Sequence, residues 1–202
     1  MSNTSDIKGG ANIIYQVNSS YTSDRFNNSN QAVYLNDGYL QVPAGKYVCN
    51  EFTIIIWINI KSIANFNILS LGADFSVGYI TYKVQVQLVA SNNKYLQAGI
   101  LISNLTSEGG FSRGSLQLNT WYHLAIVSLQ THNYIYVNGM LVSFIGDQAP
   151  VSVSVNRNNN FFGKSDSNTT NINAVLDEIR IYTGAMTANQ VLNDYRNSSI
   201  KS

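Results

Sequence analysis

Eleven carboxylates and two histidines are all that 202 residues offer for acid–base or metal chemistry. Their spacing limits what they can do. Asp177 and Glu178 are adjacent inside Leu176–Tyr182, a strand-like run. A period of two sends strand neighbours to opposite faces, whereas the carboxyls that cut a glycosidic bond flank it together, roughly 5–10 Å apart. Glu51 and Glu108 are isolated, and Asp74 and Asp147 fall in segments that read as solvated loops, with a rim site as the other option. His123 shares a strand pattern with Trp121, where a histidine beside an aromatic reads as packed and hydrogen-bonded. No Ser or Cys nucleophile stands at a readable spacing from it. His123 and His132 lack the further ligands a metal site needs. The single cysteine, Cys49, excludes an intrachain disulfide and reads as a small buried apolar residue.

What remains is surface recognition. A pyranose offers an apolar C–H face that stacks on aromatic rings, and its hydroxyls need amides and carboxylates. Trp57, Tyr79, Tyr82, Tyr95 and Tyr182 are the aromatics to consider for such contact, although tyrosines are also simply good strand formers. Only 11% of residues are charged and the net charge is +1, against about 25% charged in an average soluble chain. The surface must therefore be covered by Asn, Ser, Thr, Gln and Tyr, and a biased genome would enrich Asn as readily as a function would. With no clustered Lys/Arg face, electrostatic capture of nucleic acid or an anionic membrane is not supported. No apolar run approaches the roughly 20 residues of a membrane helix. Met1–Asp6 lacks the features of a signal peptide, which leaves a cytoplasmic chain or an excised piece of an exported one. Sequons at Asn3, Asn18, Asn27, Asn104, Asn168 and Asn197 lend secretion slight support.

The elements that must position these groups are short strands separated by Gly, Asn, Ser and Asp. They are Gln31–Val42, Phe52–Ile60, Ile68–Leu71, Phe75–Ile80, Lys83–Val89, Tyr95–Ile102, Trp121–Leu129, Tyr134–Phe144, Val151–Val155, Asn160–Phe162 and Ala174–Tyr182. That punctuation predicts an all-β, two-sheet antiparallel sandwich. In Phe52–Ile60 the aliphatic set Phe52, Ile54, Ile56, Ile58 and Ile60 must face the second sheet, which sends Trp57 to the opposite, open face. Leu124, Ile126, Ile179 and Ile181 point inward by the same rule. His123, Ala125, Glu178, Arg180 and Tyr182 point outward, and Asp177 points inward, where its charge needs a partner. Asn138-Gly139 predicts a tight hairpin. A short C-terminal helix follows from Met186 to Tyr195, with Thr187 as its cap and Val191, Leu192 and Tyr195 as its apolar stripe. Residues 1–10 read as a polar lead and 11–202 as one domain.

In order and spacing, the segments Trp121-Tyr122-His123, Tyr136-Val137-Asn138-Gly139, Phe161-Phe162-Gly163, Leu176–Tyr182 and Ala185-Met186-Thr187 form one pattern. With Asp24–Ala32 and Val33–Pro43 in front, it resembles the laminin G-like (LamG-like, pentraxin-like) jelly-roll group of the concanavalin A-like lectin/glucanase superfamily over residues 20–197. The resemblance implies a jelly-roll sandwich with a concave face or rim loops for ligands. Glucanase members carry Glu-x-Asp-x-x-Glu on one strand, and nothing here matches it. Members often hold a structural calcium near the strand equivalent to Leu176–Tyr182. The resemblance thus offers Ca²⁺ as a partner for Asp177, with Asn36, Asp37 and Gly38 as further oxygen ligands; backbone amides or Arg25 are the alternative. The function it implies is non-catalytic binding of a glycan or glycosylated surface, in an extracellular or cell-surface adhesion role. The alternative is a structural or protein–protein interaction domain, and a degenerate glycosidase ranks last.

Overall fold

The computed structural model describes residues 12–48, 51–62, 66–77, 80–90, 96–102, 108–111, 116–129, 132–145, 156–164 and 171–200. For residues 66, 73–77, 80–90, 96–102, 108–111 and 145 the description is of the backbone alone. The strands are β1 (Tyr15–Thr22), β2 (Ala32–Gln41), β3 (Glu51–Ile60), β4 (Phe66–Val77), β5 (Ile80–Ala90) and β6 (Leu96–Ile102). They continue as β7 (Glu108–Phe111), β8 (Trp121–Leu129), β9 (His132–Val137), β10 (Met140–Ile145), β11 (Asn159–Phe162) and β12 (Ile172–Tyr182), before helix α1 (Ala188–Ser198).

Every pairing is antiparallel, in the order β10-β9-β8-β3-β12-β2-β11-β4-β5-β6-β7, with β1 added on β2. This ladder cannot be flat. β3 and β4 lie four strand spacings apart along it, about 19 Å if extended, yet Ile54, Ile56 and Ile58 of β3 share one buried cluster with Ile68, Leu69 and Leu71 of β4. The sheet therefore folds over between β3 and β4 into two facing layers, the jelly-roll sandwich expected from the sequence.

The period-two reading holds along β3 and β8. Phe52, Ile54, Ile56, Ile58, Ile60, Leu124 and Ile126 all belong to that inner cluster. The outer face, however, is not open. Trp57 is only 4% exposed, because α1 lies across it and seals a second apolar cluster of Ile55, Ala125, Val127, Tyr136 and Val191. Asn138 and Gly139 form the β9–β10 turn with φ of 50° and 75°, as a two-residue hairpin of this type requires. Gly139 is also where the helix rests: a Cβ there would stand 2.9 Å from Leu192 Cδ1. Thr187 caps α1 in a full capping box with Gln190.

The predicted strands Ile68–Leu71 and Phe75–Ile80 are largely one strand, β4. Asp74 is thus a strand residue opposite Lys83 and not a loop residue. β1 and β7 had no sequence signal, since β1 is polar and Asn/Ser-rich on the rim. The lead 1–10, Cys49, Tyr79, Tyr95, Asp147 and Val151–Val155 lie outside the described residues.

Candidate functional site

A β-bulge in β12 decides where the motif carboxylates go. Asp177 stands opposite Trp57 and Arg180 opposite Ile55, so Glu178 and Ile179 together face the single residue Ile56. Glu178 takes up the extra residue with φ 44°. Strict alternation would have sent Asp177 inward; the bulge instead puts it on the outer face beside Trp57, beneath α1. Its partner is Arg25, from the loop after β1. Arg25 Nη1 donates to Asp177 Oδ2 at 2.6 Å and Nη2 to Glu178 Oε1 at 2.7 Å. Nε and Nη2 donate to the Ser198 carbonyl at 2.9 and 2.7 Å, at the end of α1. The guanidinium lies 4.7 Å from the Trp57 ring and 4.5 Å from Phe26. Asp24 fixes the loop that presents it, accepting from the Phe26 and Asn28 amides at 2.8 and 2.9 Å. Burial alone would raise the Asp24 carboxyl, but a hydrogen bond from the Asn28 side chain, those two amides and the Arg25 charge hold it below its ordinary value.

A second arm runs from the same strand. Arg180 donates both Nη groups to Asp194 of α1, at 2.7 and 2.8 Å, and lies 3.5 Å from Glu178. His123 Nε2 meets Asp194 Oδ2 at 2.9 Å. Burial would raise the Asp194 carboxyl; the His123 hydrogen bond and the Arg180 charge outweigh it and depress the pKa. Trp57 Nε1 donates to Ser198 Oγ at 3.1 Å, and its ring packs edge-on to the fully buried His123. Trp57, His123, Asp177, Glu178 and Arg180 do converge, but on the helix. They clamp α1 to the sheet, and each carboxylate of the group has an arginine against it.

Of the sugar-contact set, only Trp57 and Tyr182 have described side chains, and neither forms an open platform. Trp57 is covered, and Tyr182, opposite Thr53, packs against the cluster under α1. Tyr82 sits on β5 in the other layer, where only its backbone is described, and Tyr79 and Tyr95 are outside the described residues. The calcium set does not assemble. Asn36 pairs with Asn173, four residues or about 13 Å along β12 from Asp177, and a guanidinium already occupies Asp177. These residues do not fit one calcium site. Among the described residues no three His, Cys, Asp or Glu side chains gather as metal ligands.

Asn36 and Asp37 belong instead to an open groove on the outer face of β1 and β2, beside β12. Asn36, Asp37 and Gly38 face only Asn18 across β1, and Asp37 is the extra residue against β12. Asn18 and Asp37 take φ of 46° and 51°. Gly38 is a packing necessity, since a Cβ would collide with the backbone oxygens of Val17 and Asn18. The bulge turns polar side chains outward around a groove of about 490 Å³ lined by Asn18, Ser19, Ser20, Tyr34, Asn36 and Asp37. Tyr34 Oη bonds Asn173 Oδ1 at 3.1 Å, while Asn171 Nδ2 and Asn18 Nδ2 hold the Asp37 carbonyl at 3.0 and 3.4 Å. The sequence signal for this site was a glycine inside a strand pattern, which marks a bulge or close backbone approach.

The family model Laminin_G_3, described as the Concanavalin A-like lectin/glucanases superfamily, matches residues 35–192. The chain belongs to this family. Among solved structures, this laminin-G-type sandwich is similar to domain 4 of AbnA, a GH43 extracellular arabinanase from Geobacillus stearothermophilus, in complex with arabinotriose. The identity is 19% and the TM-score 0.71, over 95% of this chain and 92% of that domain. It is also similar to the binding domain of Paraclostridial Mosquitocidal Protein 1 (14% identity, TM-score 0.71, 98% of this chain and 50% of that one). The binding domain of Botulinum Neurotoxin serotype G is a third case (16%, 0.64, 96% and 48%). The chain thus spans nearly all of the arabinanase domain and about half of each toxin binding domain. No curated protein matches it by sequence. Among the described residues no helix is long and apolar enough to cross a membrane.

Proposed function

We propose that this laminin-G-type sandwich is a non-catalytic carbohydrate-recognition module acting outside the cell or on its surface, and that its site is the β1–β2 groove. The observation that carries this reading is the groove's lining. Three amide or hydroxyl residues of β1 face Tyr34, Asn36 and Asp37 across a space of about 490 Å³, within the usual range for small-ligand sites. Amides and hydroxyls held by one another are ready partners for a polyhydroxyl ligand, since little ordering remains to be done on binding. Catalysis is disfavoured because Asp177, Glu178 and Asp194 are all bound to arginines. The related arabinanase domain, named in complex with arabinotriose, supports the class of ligand. A glycan array followed by titration calorimetry tests the reading. Binding in the range of about 0.1–1 mM is expected for so open a groove, weakened about tenfold by Asn36→Ala through one lost hydrogen bond, and unchanged by EDTA. Binding that survives Asn36→Ala and Tyr34→Ala together overturns the placement.

A second reading has its own observation. On the β9–β10 hairpin, His132, Tyr134 and Phe144 lie 6.3–6.4 Å apart with near-parallel rings, and Met140, Leu141 and Phe144 are exposed. Such an apolar patch suits a protein partner. Capture of one protein partner, abolished by Phe144→Ser, with no glycan bound anywhere on an array, would favour it over the first.

A further inference from the structure

We propose that the groove's ligand is an acidic saccharide chain, whose carboxylate or sulfate is taken by Lys164 while a sugar ring stacks on Tyr39. This rests on the carbohydrate reading and names the class of sugar. Leu40 is buried in the inner cluster, so Tyr39 points outward, two residues along β2 from Asp37. Its ring meets Tyr15 at 6.3 Å and Phe161 of β11 at 5.8 Å, extending the polar groove into an aromatic platform on the same face. Lys164, just after β11, holds its ammonium 4.6 Å from the centre of the Tyr39 ring and 5.4 Å from that of Phe161. No described carboxylate pairs with it.

An ammonium resting on ring faces at a partly exposed site is held less firmly than one in a charge-assisted hydrogen bond to an anion. An incoming carboxylate or sulfate can therefore draw Lys164 off the rings and leave the Tyr39 face to the sugar's C–H surface. Asp37 and Lys164 place opposite charges along the same band. A ligand with hydroxyls at one end and an anion at the other would then bind in one direction, hydroxyls toward Asp37 and acid toward Lys164. A neutral sugar would leave the cation without a partner.

The test compares trigalacturonate, galactotriose and a sulfated disaccharide on the wild type, Lys164→Met, Lys164→Arg and Tyr39→Ala, by calorimetry at two salt concentrations. Both positions are on the surface, and circular dichroism verifies folding. The wild type should prefer an acidic ligand over galactotriose by about tenfold, the worth of one charge-assisted bond, with affinity falling as salt rises. Lys164→Met should remove that preference by bringing the acidic affinity down to the neutral one; Lys164→Arg should keep it; Tyr39→Ala should weaken both classes. A preference for trigalacturonate alone identifies the anion as carboxylate, and for the sulfated sugar alone as sulfate. Equal wild-type affinity for acidic and neutral sugars overturns this inference and leaves the carbohydrate reading standing. Loss of neutral and acidic binding alike in Lys164→Met also overturns it. Absence of binding to every sugar overturns both.

Discussion

Arg25→Met should cost about 3–5 kcal/mol of folding stability, the usual penalty for leaving one buried charge of a pair without its partner. Burial sets the magnitude. The Arg25 and Asp177 side chains are 6% and 3% exposed, so the Asp177 carboxylate would remain out of water with its counter-charge gone. The Glu178 arm adds little, because that carboxylate is 40% exposed and surface pairs are worth about 0–1 kcal/mol. With a urea dependence of about 2 kcal/mol per molar, the unfolding midpoint should fall by roughly 1.5–2.5 M. Trp57 fluorescence is the probe, since the indole touches both Arg25 and Ser198. Replacing both partners with apolar residues, Arg25→Met with Asp177→Leu, should recover much of the loss, because the desolvation penalty vanishes with the charges. If Arg25→Met proves too unstable to purify, Arg25→Lys keeps the charge without the fork and should lose roughly a third as much. A loss below about 1 kcal/mol, or a double-mutant coupling near zero, would refute the clamp. So would a wild-type midpoint that rises with calcium and falls with EDTA, since that would mean a cation and not Arg25 neutralises Asp177.

Three further outcomes follow from the same contacts. Asp194 has a lower pKa folded than unfolded, so the folded chain binds fewer protons there. Its contribution is fully present above about pH 4 and is lost as pH falls through the depressed value; Asp194→Asn should flatten the acid limb of urea midpoints measured against pH. Gly38→Ala forces a Cβ into the Val17 and Asn18 backbone and should cost about 1–3 kcal/mol, read as a lower thermal midpoint and as loss of groove binding. Thr187→Ala removes the hydroxyl that accepts from the Gln190 amide and should cost about 1 kcal/mol by the same unfolding assay, with no effect on the groove.

The inner face was legible because it depends on a period alone. Phe52 to Ile60 alternates without interruption, and nothing in β3 disturbs it. The Asn138-Gly139 turn and the Thr187 cap were legible because each is a local geometry that few residue types satisfy. The Glu178 bulge was not. One inserted residue reverses the face of everything beyond it, and a glutamate at positive φ carries no sequence mark comparable to a glycine's. Alternation therefore gives Asp177 the wrong face, while the need to neutralise its charge, which does not depend on the side it faces, leaves Arg25 as one option beside calcium and backbone amides; the structure supplies Arg25. Trp57 departs from its expected exposure for a different reason. Alternation tells which face a side chain takes, not what covers that face, and the cover lies more than 130 residues later. The unaccommodated stripe of Val191, Leu192 and Tyr195 was the one hint that some outer face must receive a helix.

The groove and the clamp are not independent, because β12 serves both. Asn173, at the groove, and Asp177, in the clamp, are one strand's residues about 13 Å apart, and β2 is held between that strand and β1. The charged residues of the motif interlock between sheet and helix, where few remain open to a ligand. Neutral amides and hydroxyls are left to face outward on β1 and β2. That sorting explains how a chain with only 11% charged residues can hold a short helix firmly and still present a weakly charged groove. It also means that a clamp variant losing glycan affinity has not thereby been shown to touch the glycan. Only an affinity loss larger than the unfolded fraction accounts for would place a residue in the site, and the clamp residues, lying under α1, should never meet that standard.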